Sequence, residues 1–477
     1  MEPLPIGTIA RAIGGSWERG GPPEGAVVRE VSTDTRTLSG SAVFFALSGE
    51  RFDGHAFVAE AKRRGALASV VARGRAAGLP PEAGPYLSVD DPLAGLERLA
   101  SWNRGRAGLR VVAVTGSVGK TTTKGFIAAI LSRAFRVCAA PKSFNNRIGV
   151  ATTLIRADAS TEVVVAELGA SAPGEIAHLS RIARPDAAVV TEIAPAHLAG
   201  FGDLDGVVAA KAEIFEGLAD GGVSFLRRRA YGFERLAAAA RGPVRTFGWD
   251  DGEYAVRACR RAGRGYDFEL VDPEGARLDL SLSVPGRHNV LNAAAAAAVA
   301  RELGMPWEEI REGLLRCRLP PSRLAVFEAG GVEIVDDSYN ANPASMAAAI
   351  SEWLALGDGA PAEPRRLVAV LGEMLELGPE SGRLHEELGI EIAAAPLALL
   401  VTVGRGARPI GEGARARGAA FEIAHVESAA EALEILRREI REGDRVLLKG
   451  SRRIGLDAVA SELSRRLAPA GQVEGGG

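Results

Sequence analysis

Between Val111 and Thr123 the chain runs from an apolar, β-branched stretch directly into a glycine-bearing turn that ends in Lys-Thr: Val111-Val112-Ala113-Val114-Thr115-Gly116-Ser117-Val118-Gly119-Lys120-Thr121-Thr122-Thr123. Strand, tight turn and helix in that order are the opening of a parallel α/β unit. Backbone N–H groups of such a turn can surround phosphate oxygens, Lys120 adds a point charge, and Thr121 offers a hydroxyl to Mg²⁺. The full phosphate-loop pattern needs a further glycine where Val114 stands, so the loop is the shortened form Gly116-x-x-Gly119-Lys120-Thr121.

A chain of 477 residues exceeds one hydrophobic core. Three α/β units are expected. Residues 1–106 alternate short strands and helices: Ala42–Leu47 reads as a strand, Phe57–Arg64 as a helix, Ser69–Val71 as the next strand, and Trp102–Arg106 as a linker. Residues 107–318 carry near-continuous apolar runs at 110–115, 162–168 and 186–193, as strands covered on both faces do, then a hairpin near 265–284. The alanine run Ala293–Ala298 reads as a tightly packed helix. Residues 319–477 place strands at 332–336, 367–371, 398–403, 421–426 and 445–449 between helical stretches, the pattern of a doubly wound parallel sheet. The glycines at 475–477 are expected to be disordered.

The net charge of −3 gives no reason to expect nucleic acid as partner, and no apolar run is long enough to enter a membrane. No signal peptide is read at the N-terminus. Cys138, Cys259 and Cys317 make neither a zinc pattern nor a disulfide framework, which suits the cytoplasm. Nothing calls for an obligate partner, so a monomer is expected. Only six of the 57 basic residues are lysine: Lys62, Lys120, Lys124, Lys142, Lys211 and Lys449. A primary amine reacts with CO₂ and a guanidinium does not, so some of these positions call for chemistry arginine cannot supply.

Ligands collect at the carboxyl ends of strands in open α/β sheets. Glu167 ends one strand of the middle unit and His197 follows another. Asn145 and Asn146 lie in a polar turn, and Asn289 precedes the alanine helix, where it serves a ligand or a cap. Asp336-Asp337-Ser338-Tyr339-Asn340-Ala341-Asn342-Pro343 and Lys449-Gly450-Ser451-Arg452 stand at strand ends of the third unit. Taken alone, Lys211 in Ala209–Phe215 reads as a solvated helix position.

Together these segments resemble the Mur ligase family of peptidoglycan synthesis, over nearly the whole chain. Thr115–Thr121 is similar to the ATP loop of Mur ligases and folylpolyglutamate synthases. Ala194-Pro195-Ala196-His197-Leu198, Phe201-Gly202, Lys211–Phe215 and the Asp336–Pro343 octapeptide resemble the branch that adds D-Ala-D-Ala.

The resemblance implies a nucleotide-sugar-peptide domain, a central ATPase domain and a C-terminal Rossmann-like domain. It implies ATP-dependent joining of D-Ala-D-Ala to UDP-MurNAc-tripeptide through an acyl phosphate, giving UDP-MurNAc-pentapeptide. Thr115, Gly116, Ser117, Val118, Gly119, Lys120, Thr121, Thr122, Asn289, Arg323 and Asp336 would face ATP. Thr121, Glu167, His197 and Lys211 would serve two Mg²⁺, Lys211 as a carbamate, which reverses the bland reading of that lysine. Lys120, His197 and Lys211 would be the catalytic group. Ser32, Asp34, Arg36, Gly49, Asp53 and His55 would contact the nucleotide-sugar substrate. Asn145, Asn146, Asn340, Asn342, Lys449, Ser451 and Arg452 would complete the substrate site. Relatives carry an Asn-Ala-Asp type segment where Leu226-Arg227-Arg228-Arg229 stands, so the resemblance carries no nucleotide contact over to that loop. The third stem-peptide residue stays open between meso-diaminopimelate and lysine. A ligase adding a single amino acid, a folate glutamate ligase and a non-catalytic ATP-binding regulator remain rival readings.

Overall fold

The computed structural model describes residues 1–18, 20–22, 25–49, 52–106, 108–356 and 365–467, and the glycine terminus 475–477 lies outside them. Three sheets define three α/β units. The first has five strands in the order Ser16–Glu18, Tyr86–Val89, Ala68–Ala72, Ala42–Phe45, Glu30–Ser32, parallel except at the Ser16–Glu18 edge.

The central sheet has nine strands. Arg110–Thr115 lies in its middle, parallel to Val163–Glu167 on one side and Ala187–Val190 on the other. The chain therefore departs in two directions from this strand, which opens a crevice at its carboxyl end. Val111–Val114 are all buried, so every side chain of the run packs on one sheet face or the other. Beyond Val244–Trp249 the sheet takes on Tyr254–Ala262, Gly265–Val271 and Arg277–Leu282, the last two joined as an antiparallel hairpin at residues 271–277. Ala293–Ala298 are fully buried within the helix Arg287–Glu302, which packs on the helix Lys120–Leu131. Side chains this small let the two helix backbones approach closely.

The third sheet has six strands, ordered Ala325–Ala329, Val332–Asp336, Arg445–Lys449, Leu367–Gly372, Leu397–Val403, Glu422–Val426, with only the first antiparallel to its neighbour. Its apolar faces are covered by helices on both sides.

One expectation is corrected. Trp102–Arg104, read as linker, is the last turn of the helix Pro92–Arg104. The turn is docked: Asn103 Nδ2 donates to Leu154 O at 2.7 Å and to Ala157 O at 3.0 Å, and Arg104 reaches Ala183 O, Arg184 O and Asp186. Polar residues that look like linker punctuation in sequence are spent on free carbonyls at the ends of central-unit helices.

Candidate active site

Thr115 is buried at the sheet end, its hydroxyl donating to Leu168 O, and the chain then turns at Gly116 with φ +141°. A Cβ at Gly116 would stand 2.1 Å from Thr191 Oγ1, so only glycine passes here. Thr191 Oγ1 donates to Val118 O at 2.6 Å and Ser117 N–H donates to Glu192 O at 2.7 Å, which pins the turn to the next strand end. Gly119, with φ +88°, precedes the helix Lys120–Leu131, whose N-terminus faces the crevice and favours an anion. Lys120 Nζ donates to Gly116 O at 2.8 Å and Ser117 O at 3.2 Å, and burial holds its ammonium below the usual lysine range.

Two cavities meet at this turn. One, of about 420 Å³, holds Val118–Thr122, Asn289 and Asn292 of the alanine helix, and Asp337 and Lys449 of the third unit. Its outer wall is Trp249, with the Arg287 guanidinium 4.3 Å from the ring centroid, and Arg227, paired with Glu192. The other, of about 770 Å³, holds Asn145, Asn146, Glu167, His197, Ser451 and Arg452 among its walls. Ser117, Lys120, Arg323, Tyr339, Asn340 and Asn342 line both.

The residues around Thr121 form one network. Thr121 Oγ1 donates to Glu167 Oε1 at 3.1 Å and accepts from Arg323 Nη2 at 3.1 Å, while Asn145 Nδ2 donates to Glu167 Oε1 at 3.0 Å. Lys124 Nζ lies 3.4 Å from Glu167 Oε2, buried with it. Ser117 Oγ, Glu167 Oε2 and Arg323 Nε are buried without a hydrogen-bond partner. Orphaned polar atoms are rare in folded proteins, and Ser117 Oγ and Arg323 Nε, with Glu167 Oε2 met only by the Lys124 ammonium, mark a place built for a polar ligand.

Lys211 sits in the helix Leu204–Ala212 and is 2% exposed, so the solvated reading fails. Its Nζ lies 5.1 Å from the Phe201 ring centroid. Burial first, and then the Lys120 ammonium, pull its pKa down to about 7. His197 has a left-handed backbone, φ +55°, and its Nδ1 pairs with Glu376 of the third unit. Burial lowers the His197 pKa, against the pull of Glu376.

In the third unit Lys449 Nζ is held by Asp337 Oδ2 at 2.6 Å and Asn340 O at 3.0 Å. Asn342 caps the helix Pro343–Ala355, and Asn146 caps Arg147–Arg156 in the same way. Ser451 Oγ accepts from Leu375 N. Asp336 is turned inward onto Ser338, its carboxyl raised by burial, and its neighbour Asp337 lines the smaller cavity instead. Asn289 Nδ2 donates to Pro285 O and its Oδ1 accepts from Asn292.

The first-unit residues stand apart from this crevice and line neither cavity. Ser32 bonds the backbone of Asp34, Asp34 pairs with Arg36 at 2.6 Å, and Gly49 lies in a short hairpin with Phe52. His55 is buried between Asp53 Oδ1, 2.6 Å from Nδ1, and the Ala72 N–H, 3.0 Å from Nε2, so its ring ties that hairpin to the sheet. Hydrogen bonds from His55 hold the Asp53 carboxyl far below the usual carboxylate range.

Several neighbours of the site escaped sequence reasoning, Trp249, Arg287 and Glu192 of the cavity wall among them. Lys124 was visible as one of six lysines, and Asp337 and Tyr339 lay inside the octapeptide. Glu376 and Glu352 had no sequence signal, since each acts across a seam between units.

Three family models match in succession: "Mur ligase family, catalytic domain" over residues 27–101, "Mur ligase middle domain" over 114–300, and "Mur ligase, glutamate ligase domain" over 322–452. The chain is 35% identical to the UDP-N-acetylmuramoyl-tripeptide–D-alanyl-D-alanine ligase of Bacillus subtilis, over 92% of this chain and 94% of that protein. It belongs to the Mur ligase family. The ligase of the same name from Escherichia coli is also 35% identical, over 91% of this chain and 93% of that protein. Among solved structures, MurF from Acinetobacter baumannii matches with a TM-score of 0.86 at 31% identity, covering 98% of this chain and 100% of that one. MurF ligase from Thermotoga maritima, solved in complex with ADP, matches with a TM-score of 0.79 at 28% identity, over 92% and 98% of the two chains. Mur ligase membership accounts for the three-unit α/β architecture and for an ATP-dependent ligase built on the crevice. Among the described residues no helix is long and apolar enough to cross a membrane.

Proposed function

We propose that this Mur ligase joins the terminal carboxylate of UDP-MurNAc-tripeptide to the amine of D-Ala-D-Ala at the expense of ATP. The observation that carries this reading is the wall common to both cavities, with Lys120 and Arg323 in it. A carboxylate lodged on one side can meet a γ-phosphate lodged on the other. A carboxylate oxygen attacks the γ-phosphorus, the bond to the bridging oxygen breaks, and ADP leaves. The D-Ala-D-Ala amine then attacks the acyl carbon, loses a proton and expels phosphate. Two anions must approach in the first step. Lys120, the turn's N–H groups and Arg323 offset that repulsion and hold charge on the transferring group.

The donor set suits Mg²⁺. Thr121 and Glu167 offer hard oxygens beside the turn, Glu167 Oε2 being met only by the Lys124 ammonium at 3.4 Å. Among the described residues no group of three or more His, Cys, Asp or Glu forms a metal cage, which fits an ion completed by phosphate oxygens and water. Mg²⁺ so held supplies positive charge to the phosphates. His197 and Lys211 would serve a second ion. A buried amine with a pKa of about 7 is substantially neutral at physiological pH, the form that takes up CO₂ to become a carbamate. The first unit, 1–106, would hold the nucleotide-sugar end of the substrate through Asp34, Arg36 and their neighbours, with 107–318 and 319–477 as the ATPase and C-terminal domains. Free Cys138, Cys259 and Cys317 suit the reducing cytoplasm.

A phosphate-release assay with ATP and UDP-MurNAc-tripeptide tests the reading. D-Ala-D-Ala should support turnover and single amino acids should not; the reverse preference overturns it.

A further inference from the structure

Tyr339 lies at the junction of the two cavities and lines both. Its backbone is fixed on the segment that enters the third unit: Tyr339 N–H donates to Ser322 O at 3.0 Å, and Leu324 N–H donates to Asp337 Oδ1 at 3.0 Å. Ser322 and Leu324 both have left-handed backbones, φ +56° and +48°, so the segment folds sharply around the loop. Two guanidinium groups lie over the Tyr339 ring. Arg323 Cζ is 4.3 Å from its centroid and Arg452 Cζ 5.8 Å. Arg323 continues to Thr121 Oγ1, beside the phosphate turn, and faces both cavities. Arg452 faces the larger cavity only and is steadied by Asp457 at 2.9 Å.

Two like charges at one seam repel unless something lies against both. The negative face of an aromatic ring attracts a guanidinium and fixes its plane. Arg323 also has an unpartnered buried Nε, so its hydrogen bonds in the protein do not by themselves set its orientation. We propose that Tyr339 is a positioning residue that racks Arg323 toward the phosphate turn and Arg452 toward the second cavity. The ring, not the hydroxyl, carries this role. The inference rests on the ligase reading above, because it assigns Arg323 to the phosphoryl group that the carboxylate attacks. Misplacing such a group by a fraction of a bond length slows the chemical step while leaving nucleotide binding nearly intact.

The test compares Tyr339→Phe and Tyr339→Leu with the parent in turnover with ATP, UDP-MurNAc-tripeptide and D-Ala-D-Ala, and in calorimetric binding of ADP. Tyr339→Phe should keep kcat within about threefold of the parent, and Tyr339→Leu should lower it by roughly tenfold to a hundredfold with ADP affinity changed less than about threefold. Because Tyr339 acts through Arg323, adding Tyr339→Leu to Arg323→Ala should cost little beyond Arg323→Ala alone. Parental kcat in Tyr339→Leu, fully additive losses in the double variant, or equal damage from Tyr339→Phe each overturns the proposal. Should Tyr339→Leu fail to fold, Tyr339→Gln takes its place in the same assays, with the same expected loss of kcat and with parental kcat overturning the proposal. Turnover by the parent tests the ligase reading separately, since the positioning role is read only from variant-to-parent ratios.

Discussion

Arg323 Nη2 donates to Thr121 Oγ1 across 3.1 Å, so the segment entering the third unit touches the hydroxyl next to Lys120. The bond joins the crevice of one sheet to the chain that begins the next. It is one of the contacts that bring the third unit to the phosphate turn.

Lys120→Ala should abolish ADP formation. Lys120 is the cation nearest the turn carbonyls and faces both cavities, and removing a group that stabilises transferring charge costs on the order of 10²–10³ in rate. Single-turnover ADP release measures it. A variant that releases ADP at near-parental speed would remove Lys120 from the chemistry.

Lys211→Met should inactivate the enzyme yet stabilise the protein, and the gain should depend on pH. The folded-state pKa of about 7 lies below the ordinary lysine value of 10.5, so the fold disfavours the ammonium. That penalty is fully present below pH 7 and fades as pH rises from about 7 toward the unfolded value, where the unfolded chain still binds a proton that the folded chain has released. The melting temperature of Lys211→Met without added bicarbonate should therefore exceed the parent's by more at pH 6 than at pH 9. An equal gain at both pH values would contradict the shift. In Lys211→Ala, short carboxylic acids should partly restore turnover by replacing the missing carbamate, and an arginine variant as active as the parent would exclude that role.

Glu352→Ala should destabilise the seam between the second and third units. Glu352 is 4% exposed on the helix Pro343–Ala355. It accepts from Tyr266 Oη at 2.6 Å and from the Arg287 N–H at 3.1 Å, and pairs with Arg261 at 2.8 Å, all residues of the central unit. Removing one partner of a buried ion pair costs about 3–5 kcal/mol because the other charge is left behind. Tyr266→Phe removes a neutral donor and should cost on the order of 1 kcal/mol. Denaturant titration followed by tyrosine and tryptophan fluorescence reads both; a Glu352→Ala loss no larger than that of Tyr266→Phe would show that the seam does not depend on the carboxylate.

The phosphate turn was legible because its residues are consecutive and each has a local reason to be there. Glycine at positive φ, the strand before it and the helix after it all follow from neighbours in the chain. Most strands of the two larger sheets were legible for the same reason, as runs of buried apolar residues. Lys211 was not. Its helix looks ordinary, its amine lies against the Phe201 ring, and its lowered pKa depends on burial and on a charge 91 positions away in sequence at Lys120. Resemblance to a family, not periodicity, singled it out. Asp336 and Asp337 show the finest grain of the difficulty: successive residues at a strand end point to opposite sides, and only the fold tells which of two adjacent carboxylates meets the cavity. Trp102–Arg104 failed in the other direction, because a polar, glycine-flanked helix end and a linker share a composition.

The first and third units are fastened to the middle one in different ways. Asn103 and Arg104 grip main-chain carbonyls of residues that line neither cavity. The third unit holds on through Arg323, Glu376 and Glu352, each of which lines a cavity. The first unit has a second tie, Glu97, which pairs with Arg147 and His178, and both of these line the larger cavity, so each outer unit has an attachment that ends in the crevice wall.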